Sequence, residues 1–533
     1  MNLVWLNINS SYSHSSLAMS AIDACRRYDN YNWSQVSATI NSDIFLITEQ
    51  LYNANPTVIA STLWLFNHEV VIKICARIKS LLPEVKIILG GPEFNGNNEQ
   101  FLRHNSFIDC VLRGEGEEKF HDIIGGVDYK TIQGLCYIDS KEQYIDNGYA
   151  RVSNFAALPQ PEESRFFDFS APFVQIETSR GCFNTCAFCV SGGDKPIRSK
   201  SIDDIEERIE NIHQKGIKDI RVLDRTFNYS PQRAKQMLGI FSKFKDMNFH
   251  LEMHPALLTK ELIKLLAETP KGVLHLEAGM QSLDDKVIEE CGRIGTNDKA
   301  KEGLKELCKI DKFETHADLI AGLPHYTLAQ IYKDVRELSL IGAGEIQLEL
   351  LKLLPGTKMR NEAAKLEIRF APTPPYEVLE TPSINIQQLN EARLLSKLLD
   401  KYYNAKGWQS VVREIINNEP EFLKNFLDFL VTSDKLEQPL SLEKRGSLLY
   451  NFCDKHYVNY RDKVSLKWIE NGLPIRRKEA GNIIKAIELP EDIIRQNNVH
   501  YFIFATITTK YLVCYDRSKE QSKPTLIKVI NHE

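Results

Sequence analysis

Between Phe173 and Thr357 six short apolar runs recur, each followed by a helix-like pattern, and this alternation limits the fold more than any other feature of the chain. The runs are FVQIETS (Phe173–Ser179), DIRVLDRTF (Asp219–Phe227), NFHLEMHP (Asn248–Pro255), VLHLEAGMQS (Val273–Ser282), THADLIAGLP (Thr315–Pro324) and EIQLELLKLLPGT (Glu345–Thr357). Among the intervening segments, SIDDIEERIENIHQ carries an N-cap serine, Ser201, and acids in its first turn, as a helix start requires. Buried runs that alternate with helices predict a parallel sheet covered by those helices. Six βα units fall two short of a full eightfold barrel, so the expected fold is an open (βα)6 barrel or one with two further strands. Barrels place their chemistry at the C-terminal strand ends. Here the first run leads directly into SRGCFNTCAFCVSG (Ser179–Gly192).

The first 150 residues alternate in the same way: LVWLNI (Leu3–Ile8), TVIASTLWLF (Thr57–Phe66), VKIILGGPEF and DCVLRGEGEEKF are strand-like, with helical patterns after the first two. Ligands of such sheets lie beyond the carboxyl ends of the strands. Those ends read NINSS, STLW, GGPEF and RGEGE, small and polar enough for close approach to a large ligand. No G-x-G-x-x-G follows the first strand, so a dinucleotide fingerprint is absent. Residues 151–171 have two prolines and no sustained period and are expected to be a linker. After APTPPYEVLETP (Ala371–Pro382) the pattern turns mainly helical to Gly472, and YFIFATITTKYLVCYD then reads as a β-hairpin. The expected class is therefore α/β: a Rossmann-like domain over 1–150, a barrel over 172–375, and a helical region with a terminal hairpin over 376–533.

A length of 533 residues, 43% hydrophobic and 26% charged, supplies several soluble cores. A net charge of -5 weakens any case for a broad basic groove, and so for nucleic acid as a partner. The N-terminus has no basic start and no stretch offers about 18 uncharged apolar residues, so a cytoplasmic protein without membrane contact is expected. Eleven cysteines, an odd number, do not suggest a disulfide framework in that compartment.

Cys182, Cys186 and Cys189 fall within eight residues, whereas the other cysteines are scattered singly. They are either structural cysteines, a zinc site, or three ligands of a [4Fe–4S] cluster. Structural zinc wants four ligands, and the nearest histidines in sequence are His121 and His213. A C-x3-C-x2-C triplet holds three irons of such a cluster and leaves the fourth open to a small molecule.

CFNTCAFC, with Phe188 before the third cysteine, resembles the signature of the radical S-adenosylmethionine (SAM) enzymes, which are partial (βα)6 barrels. VLDRTFN (Val222–Asn228), LEAGMQS (Leu276–Ser282), DLIAGLP (Asp318–Pro324) and LLPGT (Leu353–Thr357) resemble later strands of the same family. The resemblance implies that the three cysteines ligate iron, that Phe188 packs near the adenine, and that Asp224, Glu277 and Gln281 contact SAM. It further implies reductive cleavage of SAM to a 5′-deoxyadenosyl radical, with an electron donor such as a flavodoxin or ferredoxin. For Glu277 a buried carboxylate paired with a barrel Arg or Lys is the alternative.

The first region is similar to the cobalamin-binding domain that precedes the barrel in the cobalamin-dependent class. ILGGPEF (Ile88–Phe94) resembles its glycine turn and VLRGEGEEKF (Val111–Phe120) its G-E-G-E turn. Gly90 and Gly91 would then let the backbone pass close to a nucleotide tail, and Ser61 and Thr62 would hydrogen-bond it. The D-x-H-x-x-G motif that gives a histidine to cobalt elsewhere is absent, so no lower cobalt ligand is named. A Rossmann-like domain that binds nothing is the alternative. The C-terminal region resembles a domain of unassigned function and is expected to cover the barrel mouth and select substrate. His456 reads as a surface or core histidine, and Cys453 and Cys514 as buried small hydrophobes. The activity implied is methylation of an unactivated carbon through methylcobalamin. Rearrangement, cyclisation or oxidation without methyl transfer, and a non-enzymatic cobalamin or iron–sulfur sensor, are the alternatives. A tRNA methylthiotransferase would need three further cysteines for a second cluster, and Cys25, Cys75, Cys110 and Cys136 are too scattered to argue for one. Peptide, small metabolite and lipid substrates all stay open.

Overall fold

Seven strands form the first sheet: β1 (Asn2–Asn9), β2 (Asn32–Thr39), β3 (Val58–Thr62), β4 (Lys86–Gly90), β5 (Cys110–Leu112), β6 (Leu135–Ile138) and β7 (Tyr144–Asp146). Their order is β2-β1-β3-β4-β5-β6-β7. The computed structural model from which this is read describes residues 1–11, 16–27, 31–490, 492–506, 509–516 and 523–530. Pairing is parallel from β2 to β5, as the alternating pattern predicts, and antiparallel for β6 and β7. Apolar cores lie on both faces, one around Val4, Ile59, Ile87 and Ile74, the other around Leu3, Trp5, Ile88 and Phe120. The sheet contains a strand that the apolar pattern does not announce. β2 is at the edge and reads NWSQVSAT, because one flank meets water and its residues alternate in burial.

The second sheet holds β8 (Val174–Ile176), β11 (Asp219–Val222), β12 (Asn248–Met253), β13 (Leu274–Gln281), β14 (Glu314–Ala321) and β15 (Glu345–Leu350), and a short antiparallel pair, β9 (Ser179–Arg180) and β10 (Arg198–Ser199), lies between β8 and β11 in the chain. Its order, β15-β14-β13-β12-β11-β8, is sequential, so each helix crosses over to the next neighbour and the sheet stays open at six strands. Every strand candidate of the barrel region is thus present. On β12 and β13 burial alternates strictly, and the buried set (Phe249, Leu251, Leu274, Leu276) packs against helix residues such as Ile209, Met237 and Leu262. The intervening residues His250, Glu252, His275, Glu277 and Gly279 therefore share the opposite face of the sheet.

The described residues divide into two compact units, Met1–Leu328 with Leu350–Leu389, and Ala329–Glu349 with Asn390–Glu533. Residues 151–171 lie in the first unit. There Ser164 donates to Asp23 at 2.7 Å, and Glu162 is held by Arg208 at 2.7 Å. In the second unit, helices Gln409–Asn418, Phe422–Thr432, Leu442–His456 and Arg461–Glu470 bury Trp408, Trp468, Phe422 and Phe426. The terminal hairpin is extended to four strands by β18 (Ile483–Lys485) and β21 (Pro524–Ile530), flanking β19 (Val499–Ala505) and β20 (Lys510–Asp516). A short antiparallel pair, β16 (Arg369–Phe370) and β17 (Val378–Glu380), belongs to the first unit. His456 is exposed and Cys453 buried, but Cys514 is only half-buried, because its strand lies in a small sheet with one wet face. Among the described residues no helix is long and apolar enough to cross a membrane.

Candidate functional site

The cysteine loop leaves the C-terminal end of the first barrel strand and folds back on itself through its own backbone. Cys182 N–H donates to Asp194 O at 2.9 Å, Cys189 N–H to Cys186 O at 3.1 Å, and Gly193 N–H to Asn184 O at 2.8 Å. Gly192 closes the turn, where a Cβ would lie 2.3 Å from Cys186 O, so only glycine fits. A second loop pins the first: Thr185 donates to Gly292 O at 2.7 Å, Ala187 N–H to Cys291 O at 2.8 Å, and Ile294 N–H to Asn184 Oδ1 at 2.8 Å. Cys182 and Cys186 are buried and Cys189 half-buried. Cys186, Cys189, Gly192, Cys291 and Lys358 line an open cavity of about 260 Å³.

Cations and amides face the sulfurs. Arg293 Nη1 lies 3.8 Å from Cys186 Sγ, and the Asn184 N–H 3.4 Å from Cys182 Sγ. Burial raises the thiol pKa values of Cys186 and Cys189. Arg293 opposes this at Cys186, and a backbone N–H and Arg225 oppose it at Cys189. Cys291, beside them, is fully buried and its thiol is pushed up to about 12, which keeps it neutral. Phe188 is half-buried on the same loop.

Asp224 sits at the end of β11 and is 2% exposed. Its carboxylate accepts from Thr178 N (2.8 Å), Thr178 Oγ1 (2.5 Å), Ser179 N (2.9 Å) and Ser179 Oγ (2.7 Å), the two residues that introduce the cysteine loop. Burial raises its pKa and those donors pull it back. The geometry makes Asp224 an anchor for the strand end from which the cysteines depart.

Further along the inner face, Glu277 accepts from His250 Nε2 at 3.0 Å, which holds its carboxyl below the usual range. Asp318 shares a hydrogen bond with Glu277 and is raised well above an ordinary carboxyl, first by burial and then by the Glu277 charge. The partners of Glu277 are thus a histidine and a second carboxyl, not a barrel Arg or Lys. Glu252, opposite Glu277 in register, is also raised by burial. Gln281 adopts φ +67° at the register irregularity between β13 and β14. His254, just beyond β12, is 3% exposed, packs against Phe183 of the cysteine loop, and has its pKa lowered to about 4 by burial and Arg293. No spacing rule singles out His254, Arg293, Glu252 or the Thr178–Ser179 pair, because each is recruited by a strand neighbour distant in sequence.

In the first domain Ser61 donates to Leu6 O at 2.7 Å, tying β3 to β1. Thr62 is buried beside it. Gly91 has φ +110°, and a Cβ there would meet Leu63 O at 2.6 Å, so its requirement comes from the neighbouring β3 loop. Gly90 is less crowded: a Cβ would meet only Leu112 O, at 3.7 Å. The G-E-G-E turn reaches the barrel. Arg180, two residues before Cys182, pairs with Glu117 (2.5 Å) and Glu177 (2.7 Å), while Glu115 takes Arg198 at 2.6 Å. Burial opposes ionisation of Glu115, but Arg198 and the Val152 N–H hold its carboxyl below the ordinary range.

The donor set bears on the metal readings. Structural zinc wants four ligands. Three thiols on one loop, next to a cavity and an arginine, fit a polynuclear cluster with one open iron.

Residues 176–338 match the Radical SAM superfamily model, 5–124 the B12 binding domain, and 364–473 a Protein of unknown function (DUF4080). An uncharacterized methyltransferase, PH0819 of Pyrococcus horikoshii, is 25% identical over 53% of this chain and 63% of its own length. The cobalamin-dependent radical SAM methyltransferase TokK of Streptomyces tokunonensis is 23% identical over 58% of this chain, which spans about half, 49%, of that relative. The structure of the cobalamin-dependent SAM radical enzyme OxsB, with aqua-cobalamin and SAM bound, superposes with a TM-score of 0.62 at 15% identity, covering 87% of this chain and 80% of that one. With a B12-binding domain joined to a radical SAM barrel, this chain belongs to the cobalamin-binding radical SAM enzyme family.

Proposed function

We propose that this protein methylates an unactivated carbon, with a [4Fe–4S] cluster on Cys182, Cys186 and Cys189, SAM beside it, and cobalamin at the first sheet. When bound, the cluster supplies the electron that cleaves SAM to a 5′-deoxyadenosyl radical, and methylcobalamin supplies the methyl group. The observation that carries the reading is the salt bridge from the G-E-G-E turn of the B12-binding domain to Arg180, two residues before the first cysteine. It fixes one cofactor domain against the loop of the other.

The chain's own residues hold and shield. Asp224, Thr178 and Ser179 set the exit angle of the cysteine loop, and Arg293 supplies positive charge at Cys186. Phe188, Glu277 and Gln281 are assigned to SAM, Asp224 acting through the strand end, with the carboxyl of Glu277 held below the usual range by His250 and that of Asp318 raised by burial. Thr62 and the open backbone edge at Gly90 are assigned to the cobalamin tail, Ser61 and Gly91 to shaping the turn around it. A flavodoxin or ferredoxin class donor supplies electrons. Eleven free thiols support a reducing, cytoplasmic setting.

The test needs no substrate. After anaerobic reconstitution with hydroxocobalamin, iron and sulfide, the chain is expected to hold about one cobalt and about four irons. Reduction with SAM is then expected to give methylcobalamin and S-adenosylhomocysteine together. Formation of 5′-deoxyadenosine with no methylcobalamin would retire methyl transfer and leave rearrangement, cyclisation or oxidation.

A further inference from the structure

At the opposite end of the barrel strands from the cysteines, β13 and β14 bring together His275, Glu314 and His316. Register explains the juxtaposition. His275 stands directly across from Glu314, and His316 lies two residues further along β14 on the same face. Directly opposed side chains start about 5 Å apart and diagonal ones about 7 Å, within reach of an imidazole. One donor atom from each of the three residues lies within 4.8 Å of the others. On the other side of His275, the His250 ring stacks at 4.9 Å, and its Nε2 is held by Glu277.

The spacing of the two imidazoles is informative. His275 Nε2 and His316 Nδ1 are 3.5 Å apart with their rings crossed at 81°. That is long for an N–H···N hydrogen bond, which prefers about 2.9–3.0 Å. Two nitrogens 3.5 Å apart, each about 2.1 Å from one ion, subtend roughly 113° at it, close to tetrahedral. His316 is 7% exposed and His275 half-buried, whereas Glu314 is exposed.

We propose that His275, Glu314 and His316 form a second metal site, for a divalent ion of the zinc class, independent of the cysteine loop. Two neutral imidazoles and one carboxylate suit zinc, with water completing the tetrahedron. The ion ties β13 to β14 at their N-terminal ends. From His275 to Gln281 the strand advances about 20 Å, so the ion lies well away from the cofactor end. A position at the N-terminal face of a barrel serves stability.

The full-length chain, anaerobically reconstituted so that its cysteines are occupied, is equilibrated with micromolar zinc, desalted, and measured for zinc and iron. About one zinc beside about four irons is expected. His275→Ala and His316→Ala are each expected to lower zinc affinity at least tenfold while the iron stays. Zinc K-edge absorption of the unmutated protein, which needs no variant to fold, should show nitrogen and oxygen at about 2.0–2.1 Å and no sulfur at about 2.3 Å. A sulfur shell would overturn the proposal. So would a chain that retains no zinc, or zinc that survives both histidine substitutions but is lost with Cys186→Ser.

Discussion

Glu117 and Arg180 meet at 2.5 Å across 63 residues of sequence, joining the turn after β5 to the short strand that introduces the cysteines. The arginine side chain is 15% exposed and Glu117 8%, so the pair is largely withdrawn from water. Removing one member leaves the other charged and unpaired, a change that costs about 3–5 kcal/mol in buried pairs. Arg180→Leu is therefore expected to lower the urea unfolding midpoint of the apo chain and to halve or worse its iron retention, and Arg180→Lys to restore part of both. Unchanged unfolding in Arg180→Leu would show that the pair is not what holds the two elements together.

Gly192→Ala tests the loop itself. The added methyl would sit 2.3 Å from Cys186 O, which is backbone and cannot swing aside. Iron affinity is expected to fall about tenfold or more, as for other substitutions that disturb ligand orientation. Circular dichroism should be unchanged, because the strain is confined to the turn. Full iron loading in the variant would mean that the loop remodels freely.

Arg293 touches both Cys186 Sγ, at 3.8 Å, and Gly279 O, at 2.6 Å. A positive charge beside a cluster favours its more negative, reduced form. Arg293→Met is expected to make the reduction potential more negative, on the order of tens of millivolts. Redox titration followed by electron paramagnetic resonance reads the shift, and a rise in potential would contradict the assigned contact.

The burial of His254 makes a pH prediction. Its folded pKa is lowered to about 4 from an ordinary 6.5. Between those values the unfolded chain binds a proton that the folded chain does not, so stability rises with pH through the window. It is complete above about 6.5 and lost on acidification, by roughly 3 kcal/mol in all. Urea midpoints of the apo chain should drop from pH 7 to pH 4.5, and His254→Phe should flatten that slope. An equal slope in the variant would assign the acid sensitivity elsewhere.

The parts of this fold legible in sequence are those where one residue class repeats at a fixed period. β12 and β13 alternate strictly and were read within a residue or two of their ends. β2 was missed because an edge strand carries too few apolar residues to stand out from a loop. The cysteine triplet was legible because three donors share one short loop. Asp224 stands out in sequence through its resemblance to a SAM-contacting position, but its place as an anchor of Thr178 and Ser179 leaves no trace there, since its four donors lie some 45 residues earlier in the chain. Likewise the G-E-G-E turn stands out in sequence only by its resemblance, while its two carboxylates, Glu115 and Glu117, answer arginines 83 and 63 residues away. Ion pairs of that range leave no periodic trace.

The β4 turn of the first domain has a consequence for how the chain is made. Glu93 accepts from Tyr376 Oη at 2.8 Å across 283 residues, and next to it Asn95 O lies 2.6 Å from where a Cβ of Gly356 would be. A ribosome adding about 5–20 residues per second needs roughly 15–60 s to bridge that gap. During that interval the first sheet can fold, since its strands and both cores are already out of the tunnel, but one of its loops faces solvent in place of its eventual cover. Synthesis thus leaves a nascent chain whose leading domain waits, half-clad, for residues encoded nearly a kilobase downstream.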